Sequence, residues 1–213
     1  MSELKENLGK YASNTIKNRT RQIFDSLPTQ LTKENTRFQF SLINHDNHSF
    51  PSYEESIRWL IDARMVIKCQ NLTEFNTPIS GYIRPNSFKL YYFDIGLMTA
   101  SLDKNITSSI FLNDISKFKG VIYENLFADF FYKNNLSIYF LNEYKSYEID
   151  FLIQTNNILY AIEVKTSNGR SKSLKTFQQT YPNKCKGIKF IAGNCGVNDN
   201  YITLPQYLGI FIK

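Results

Sequence analysis

Apolar residues recur at helical spacing along SNTIKNRTRQIFDSL, residues 13–27, and predict a helix that stops at Pro28. A second short helix is expected to include Gln30 to Glu34. Ser52 is placed to cap a helix over roughly 53–64, with Glu54 and Glu55 in its first turn and Ile57, Leu60 and Ile61 forming one stripe. MVIKCQNL (65–72) and SFKLYYFD (87–94) read as strands around a connection containing Pro and Gly. Helices followed by a two-stranded wing predict a winged-helix-like segment over 1–100. A polar stretch rich in Ser, Asn and Asp, 101–116, reads as a linker or loop.

The second half, 117–213, opens with a helix over about 117–134. SIYFLNEY, YEIDFLIQ and NILYAIEVKT then read as three strands, Leu174 to Tyr181 as a helix ended by Pro182, and GIKFIAG as a short buried strand. The order helix, three strands, helix, strand predicts an α/β (α+β) layer whose sheet is substantially covered.

Within that pattern, YEIDFLIQTNNILYAIEVKT (147–166) breaks a rule. Three charged residues, Asp150, Glu163 and Lys165, interrupt apolar strands. Asn156-Asn157 suits a two-residue type I′ turn, because Asn tolerates positive φ. Such a turn pairs 155 with 158, so paired residues sum to 313: Asp150 opposite Glu163, and Glu148 opposite Lys165. Directly opposed residues share a face with Cβ atoms about 4.5–5.5 Å apart. A three-residue loop would instead place Ile162 opposite Asp150 and separate the acids.

Two opposed carboxylates destabilise a strand pair unless something compensates them. Lys165 and solvent at a sheet edge offer one rescue. A bridging divalent cation offers another, and oxygen ligands suit Mg²⁺ or Mn²⁺. In that case Lys165 would orient or help deprotonate an attacking water whose pKa the metal lowers.

Charge distribution sharpens the choice. The 213-residue chain carries a net charge of +6. From Val164 to Asn198 there is no Asp or Glu, while Lys165, Arg170, Lys172, Lys175, Lys184, Lys186 and Lys189 all fall there. Such a block is either a solvated face or a surface that meets a polyanion. A hydrophobic fraction of 42% and a charged fraction of 21% belong to a globular chain with a real core. No run approaches the ~18 apolar residues of a membrane span, and the polar start MSELKENLGK reads as neither signal peptide nor anchor. Three widely spaced cysteines, Cys69, Cys185 and Cys195, predict neither a disulfide framework nor a zinc site. A reducing, cytoplasmic setting is expected.

The spacing D-x12-E-x-K, here Asp150, Glu163 and Lys165 in EID…IEVK, resembles the core motif of the PD-(D/E)XK nuclease superfamily. The blocks IFDSLPTQLTKENTRFQF, YEESIRWLIDARMV, FKLYYFDIGLM, KGVIYENLFADFF, EIDFLI and IEVKTSNGRSKSLKTF, spanning about 11–192, together resemble the DUF4143 region. That region lies C-terminal to the AAA-type P-loop ATPase domain of many prokaryotic ATPases. No G-x-x-x-x-G-K-[ST] occurs here, so no ATP hydrolysis is expected from this chain alone. The resemblance implies a restriction-endonuclease-like central mixed sheet flanked by helices, preceded by a winged-helix-like segment. It also implies an AAA-type ATPase domain as a partner, nucleic acid (DNA first) as a substrate, and no membrane.

Residue by residue, the resemblance makes Glu124, Asp150 and Glu163 the metal ligands, with the Val164 carbonyl as a further one. Lys165 would position the nucleophilic water or stabilise phosphorane charge. Lys172, Lys175 and Gln178 would touch the scissile strand; Arg170, in a Ser/Asn/Gly stretch, reads either as a mobile phosphate contact or as a residue without a role. The bland alternatives stand beside these roles: Glu124 as the polar position of an apolar helix, the lysines as solvated side chains. The expected function is therefore a metal-dependent nuclease hydrolysing phosphodiester bonds, or a module that keeps the nuclease fold only to bind nucleic acid or a partner.

Other candidates carry less. His45, Asp46 and His48 fall in a polar loop without further ligands. The aromatics of FADFFY sit at helical periods and read as core. The helix at 53–64 carries Arg58 and Arg64 against Glu54, Glu55 and Asp62, which suits docking better than base reading.

Overall fold

The structure, a computed structural model, describes residues 13–33, 37–43, 49–102, 118–143, 147–167 and 171–213. The chain forms two compact units that are not contiguous in sequence. One takes the described residues up to Lys68 together with Phe88–Phe118; the other takes Cys69–Ser87 and Lys119–Lys213.

In the first unit, α1 spans Asn14–Leu31 and begins at Ser13, whose hydroxyl accepts from the Ile16 N–H. The helix does not stop at Pro28 but runs through it, so no separate helix starts at Gln30. A proline removes one intrahelical donor, and burial of Leu27, Gln30 and Leu31 holds the turn that follows. The Gln30 amide also clamps a neighbouring segment, donating to Gln39 O at 2.8 Å and accepting from Gln39 N–H at 2.9 Å. Helix α2, Phe50–Asp62, starts earlier than predicted, after Ser49 rather than Ser52. Pro51 sits in its first turn, where a missing N–H costs nothing. Helix α3, Ile95–Ser101, was not expected from the pattern; Asp94 caps it by accepting from the Leu97 N–H. Phe40 stacks on Tyr53, and Phe38 on Phe88, each at 5.5 Å.

The strands are β1 (Val66–Leu72), β2 (Ile83–Tyr92), β3 (Tyr139–Glu143), β4 (Tyr147–Thr155), β5 (Ile158–Val164), β6 (Lys186–Ile191), β7 (Gly196–Val197) and β8 (Ile202–Pro205). They form one mixed sheet of order β2-β1-β3-β4-β5-β6-β8-β7. β1/β3, β5/β6 and β6/β8 are parallel, whereas β3/β4, β4/β5 and β7/β8 are antiparallel. The α/β class follows directly. The last two strands were missed because their few residues give no measurable alternation, and the final segment is a 3-10 helix, Gln206–Phe211.

Two helices cover the sheet of the second unit. On α4, Lys119–Lys133, Phe127 meets Phe190 at 4.6 Å and Phe131 meets Phe151 at 5.4 Å. On α5, Lys172–Thr180, Leu174 and Phe177 pack with Leu159 and Ala161. Alternation along β5 puts Ala161 and Ile162 on opposite faces, and Ile162 pairs with Phe151, so α4 and α5 lie on opposite faces. Among the described residues no helix is long and apolar enough to cross a membrane. All three cysteines are free, with Cys69 fully buried. The expected linker lies outside the described residues from position 103 onward.

The Asn156-Asn157 turn forms as expected, with φ of 50° and 60°. Thr155 pairs with Ile158, and the ladder continues through Phe151↔Ile162. Asn157→Val places a β-branched residue at that positive φ. It is expected to lower unfolding free energy in urea by about 1–2 kcal/mol, whereas Asn157→Gly stays within about 0.5 kcal/mol of the wild type.

Candidate functional site

The sum-of-313 register carries the site residues toward one another, but it does not continue to them as a regular ladder. Its last pair is Phe151↔Ile162. The expected oppositions of Asp150 with Glu163 and Glu148 with Lys165 lie beyond that point and are not formed as ladder pairs. On its other side, β4 pairs Tyr139 with Leu152 but Leu141 with Ile149. One residue of β3, Phe140, is thus faced by two of β4, Asp150 and Phe151. This is a β-bulge, a device that re-aims a side chain. Its effect is visible in the core, where Tyr147, Ile149 and Leu152 all join the cluster around α5 despite their mixed parity. At the bulge, the Asp150 Oδ2 accepts the Val164 N–H at 2.8 Å. A carboxylate has taken the place of a ladder carbonyl.

Glu163 is 3% exposed. Its Oε1 accepts from Lys165 Nζ at 2.8 Å, and the lysine side chain is 41% exposed. Its Oε2 is buried with no hydrogen-bond partner among the described residues. An orphaned carboxylate oxygen costs desolvation without return, so such an atom calls for an explanation. Lys165 itself is fixed through its backbone, its N–H donating to Phe190 O and its carbonyl accepting from Gln206 Nε2, both at 2.8 Å.

The electrostatics draw in the fourth expected residue. Burial of Lys165 works to depress its pKa, but Asp150, the hydrogen bond and charge of Glu163, and Glu124 together overcome it and raise the value above the ordinary 10.5. Glu124, on the N-terminal half of α4, is therefore within the electrostatic reach of the lysine. Three acids share one ammonium. A protonated lysine has donors and no lone pair, so it can hold or neutralise an anion but cannot accept a proton.

Among the described residues, no three His, Cys, Asp or Glu side chains converge into a ready cation site. Magnesium does not need such a cage. It typically binds through one or two carboxylates and keeps several waters or substrate phosphate oxygens. The orphaned Glu163 Oε2, with Asp150 acting on the same lysine, fits that smaller donor set.

The remaining predicted residues separate. Lys172 and Lys175 are exposed on the first turn of α5. Gln178 turns elsewhere. In the amide orientation that satisfies both its ends, it accepts from Gly187 N–H at 2.9 Å and donates to Cys185 O at 3.3 Å. That amide braces the start of β6, where Gly187 is required because a Cβ would meet Tyr201 Cβ at 2.8 Å. Burial pushes the Cys185 thiol up to about 11, which removes it as a nucleophile. Arg170, and His45, Asp46 and His48, lie outside the described residues.

Two further residues belong to the site. Lys189 is 4% exposed and pairs in register with Glu163 on one side and Thr203 on the other. Lateral partners in a parallel pair share a face, so Lys189 stands beside Glu163. Its signal was present in GIKFIAG, a lysine within an otherwise apolar run. Gln206 had no sequence signal, because its role depends on where the chain returns.

Comparison with known proteins divides the chain in two. Residues 117–207 match the family model of DUF4143, a domain of unknown function, as the blocks of the second half suggested. Residues 2–108 match instead a second domain of unknown function, DUF8612, so the N-terminal blocks ascribed above to DUF4143 belong to a different model. No curated protein and no solved structure matches the chain. By these matches the chain belongs to the DUF8612 family through residues 2–108, and it carries over residues 117–207 a DUF4143 domain that holds Glu124, Asp150, Glu163 and Lys165.

Proposed function

We propose that the DUF4143 domain is a metal-dependent phosphodiesterase of restriction-endonuclease-like architecture that hydrolyses DNA. The observation that carries this reading is the buried Glu163, with one oxygen on the half-exposed Lys165, the other orphaned, and the buried Lys189 as its lateral neighbour, near a bulge at Asp150. A merely structural strand has no use for that set, since apolar residues of similar volume would be at least as stable.

In this reading Glu163 and Asp150 hold Mg²⁺ or Mn²⁺, with Glu124 on α4 and the Val164 carbonyl completing the donor set. A bound divalent ion would supply an acidified water and a Lewis acid for the phosphoryl oxygens. Lys165, kept protonated by its three acids, then stabilises the negative charge that grows on the phosphorus-bound oxygens rather than removing a proton. The Phe190 and Gln206 contacts fix the backbone of Lys165, which shortens the search of its long side chain for that position. Lys172 and Lys175 approach the phosphate chain from the first turn of α5, and Arg170 is assigned the neighbouring phosphate. Gln178, committed to the β6 backbone, acts by holding the sheet and reaches a strand only if that bracing is given up.

A winged-helix-like role for the DUF8612 part and a neighbouring AAA-type ATPase domain as partner complete the proposal. Cytoplasmic DNA would be the substrate in that setting. A second reading, binding without hydrolysis, draws on the Glu163–Lys165 ion pair, which lets the site satisfy part of its own charge.

Cleavage of plasmid and branched DNA with Mg²⁺ or Mn²⁺ tests the first reading. Asp150→Ala, Glu163→Gln and Lys165→Ala are each expected to lower the rate by about 100- to 1,000-fold while retaining the wild-type circular dichroism spectrum. Equal products from the wild type and all three variants would end it. Binding in EDTA should weaken with salt, and Lys172→Ala or Lys175→Ala should each reduce the slope of log K against log salt by about 0.9 on duplex DNA. An affinity indifferent to salt counts against both readings.

The ion pair also predicts a pH dependence. The folded pKa of Lys165 is raised above 10.5. Its stabilisation is therefore complete below the unfolded value and is lost as pH rises through the folded one. The stability advantage of the wild type over Lys165→Met, followed by urea midpoints, should persist to about pH 10 and shrink only above it. An advantage that disappears near neutrality would contradict this ion-pair assignment.

A further inference from the structure

Strand β5, helix α5 and strand β6 follow one another in the DUF4143 domain, and the two strands are parallel neighbours. A helix that joins two parallel strands runs back against them, so α5 begins over the carboxyl edge of β5. Glu163 and Lys165 lie at that edge. The faces agree as well. Ala161 packs with Leu174 and Phe177 of α5, and Glu163, two residues further along the strand, shares its face. Ser171, three residues before Leu174, belongs to the buried stripe of the helix and is 3% exposed.

The start of this nine-residue helix is left open by its own residues. Ser171 is the N-cap, a position whose side chain ordinarily accepts an N–H of the first turn. Here φ and ψ are −100° and 74°, and the hydroxyl makes no such bond. Its Oγ is buried with no hydrogen-bond partner among the described residues. The first backbone bond runs from Lys175 N–H to Ser171 O at 3.1 Å, which leaves the N–H groups of Lys172, Ser173 and Leu174 without an acceptor in the helix. No acidic residue stands in the first turn, and no Asp or Glu occurs from Val164 to Asn198. N–H donors, a hydroxyl in need of a partner, the positive end of the helix dipole and the exposed Lys172 and Lys175 together suit an oxyanion. A serine hydroxyl changes staggered position by rotation about one bond, so it can turn to a ligand at the helix end. Glu163, on the same face, has its charge answered by Lys165 at 2.8 Å and does not close the edge to an anion.

We propose that the N-terminus of α5, together with the Ser171 hydroxyl, is a phosphate-binding subsite. The hydroxyl and the Ser173 and Leu174 N–H groups donate to the phosphate oxygens, and Lys172 and Lys175 offset its charge. In seating the phosphate of a nucleic-acid strand there, the proposal rests on the phosphodiesterase reading; the binding of a phosphate group does not.

The test uses the 213-residue chain without metal, in a buffer free of phosphate and sulfate. Inorganic phosphate is titrated in while backbone amide NMR signals are followed. The titration is repeated with a single-stranded DNA oligonucleotide that lacks terminal phosphates, and with the same strand carrying one. The Ser173 and Leu174 signals are expected to shift, and the unfolding midpoint to rise with phosphate concentration. Ser171→Ala should weaken phosphate binding by about 10- to 150-fold, the range for one hydrogen bond to a charged group, while its midpoint before phosphate is added matches the wild type. Ser171→Asp supplies its own anion to the helix end, so it should fold and bind no phosphate. Shifts with the unphosphorylated strand support a seat for phosphodiesters; shifts only with inorganic or terminal phosphate support a seat for monoesters. Equal phosphate affinity of the wild type and both variants overturns the subsite, as do unmoved Ser173 and Leu174 signals. A lower midpoint for Ser171→Ala before phosphate is added makes the hydroxyl a structural group and also overturns it. Phosphate binding without DNA cleavage under Mg²⁺ or Mn²⁺ supports the subsite and removes the hydrolysis reading, whereas cleavage with a phosphate affinity indifferent to Ser171→Ala removes the subsite alone.

Discussion

A carboxylate buried to within 3% of full enclosure in a β-sheet has to be answered by something, and in this chain the answer organises the surrounding structure. Taking an ionised Glu out of water costs several kcal/mol unless charge and hydrogen bonds compensate it. Glu163 receives an ammonium on one oxygen from Lys165 and has Lys189 as its lateral neighbour on the next strand. Lys165 is itself fixed by the Phe190 and Gln206 backbone-directed bonds. The 3-10 helix that supplies Gln206 is in turn seated against α4, where Gly209 leaves room for the Phe127 ring. A charge requirement at one position thus reaches across β5, β6, α4 and the terminal segment.

The bulge in β4 is the second half of that answer. In a regular ladder, Asp150 would point at Glu163 from the facing strand, and two like charges would repel with no relief. Inserting one residue lets the Asp150 carboxylate turn to the Val164 N–H instead. The acid then satisfies a backbone donor that the interrupted ladder would have left open. The same shift allows Ile149 and Leu152 to serve one apolar cluster. Packing and site geometry are set by one irregularity, which is why neither can be altered without the other.

The sequence by itself determined the mixed α/β class and the tight Asn-Asn turn, with the Thr155–Ile158 pairing that follows from it. These depend on local rules: hydrophobic periodicity, the tolerance of Asn for positive φ, and the fixed arithmetic of a two-residue turn. Its errors came where distant residues override those rules. Pro28 was read as a stop because its missing donor is a local fact, whereas the burial of Leu27, Gln30 and Leu31 that carries the helix onward is not. Strict alternation hid the bulge, because in a strand covered on both faces the run Phe151-Leu152-Ile153 is apolar throughout and leaves no polar face whose phase could slip. Only the tertiary structure decided that Lys189 stands beside Glu163, that Gln178 braces β6, and that Gln206 returns to hold Lys165. Parallel strand neighbours and chain returns join residues through crossovers of many positions, and no spacing along the chain encodes which of them will meet.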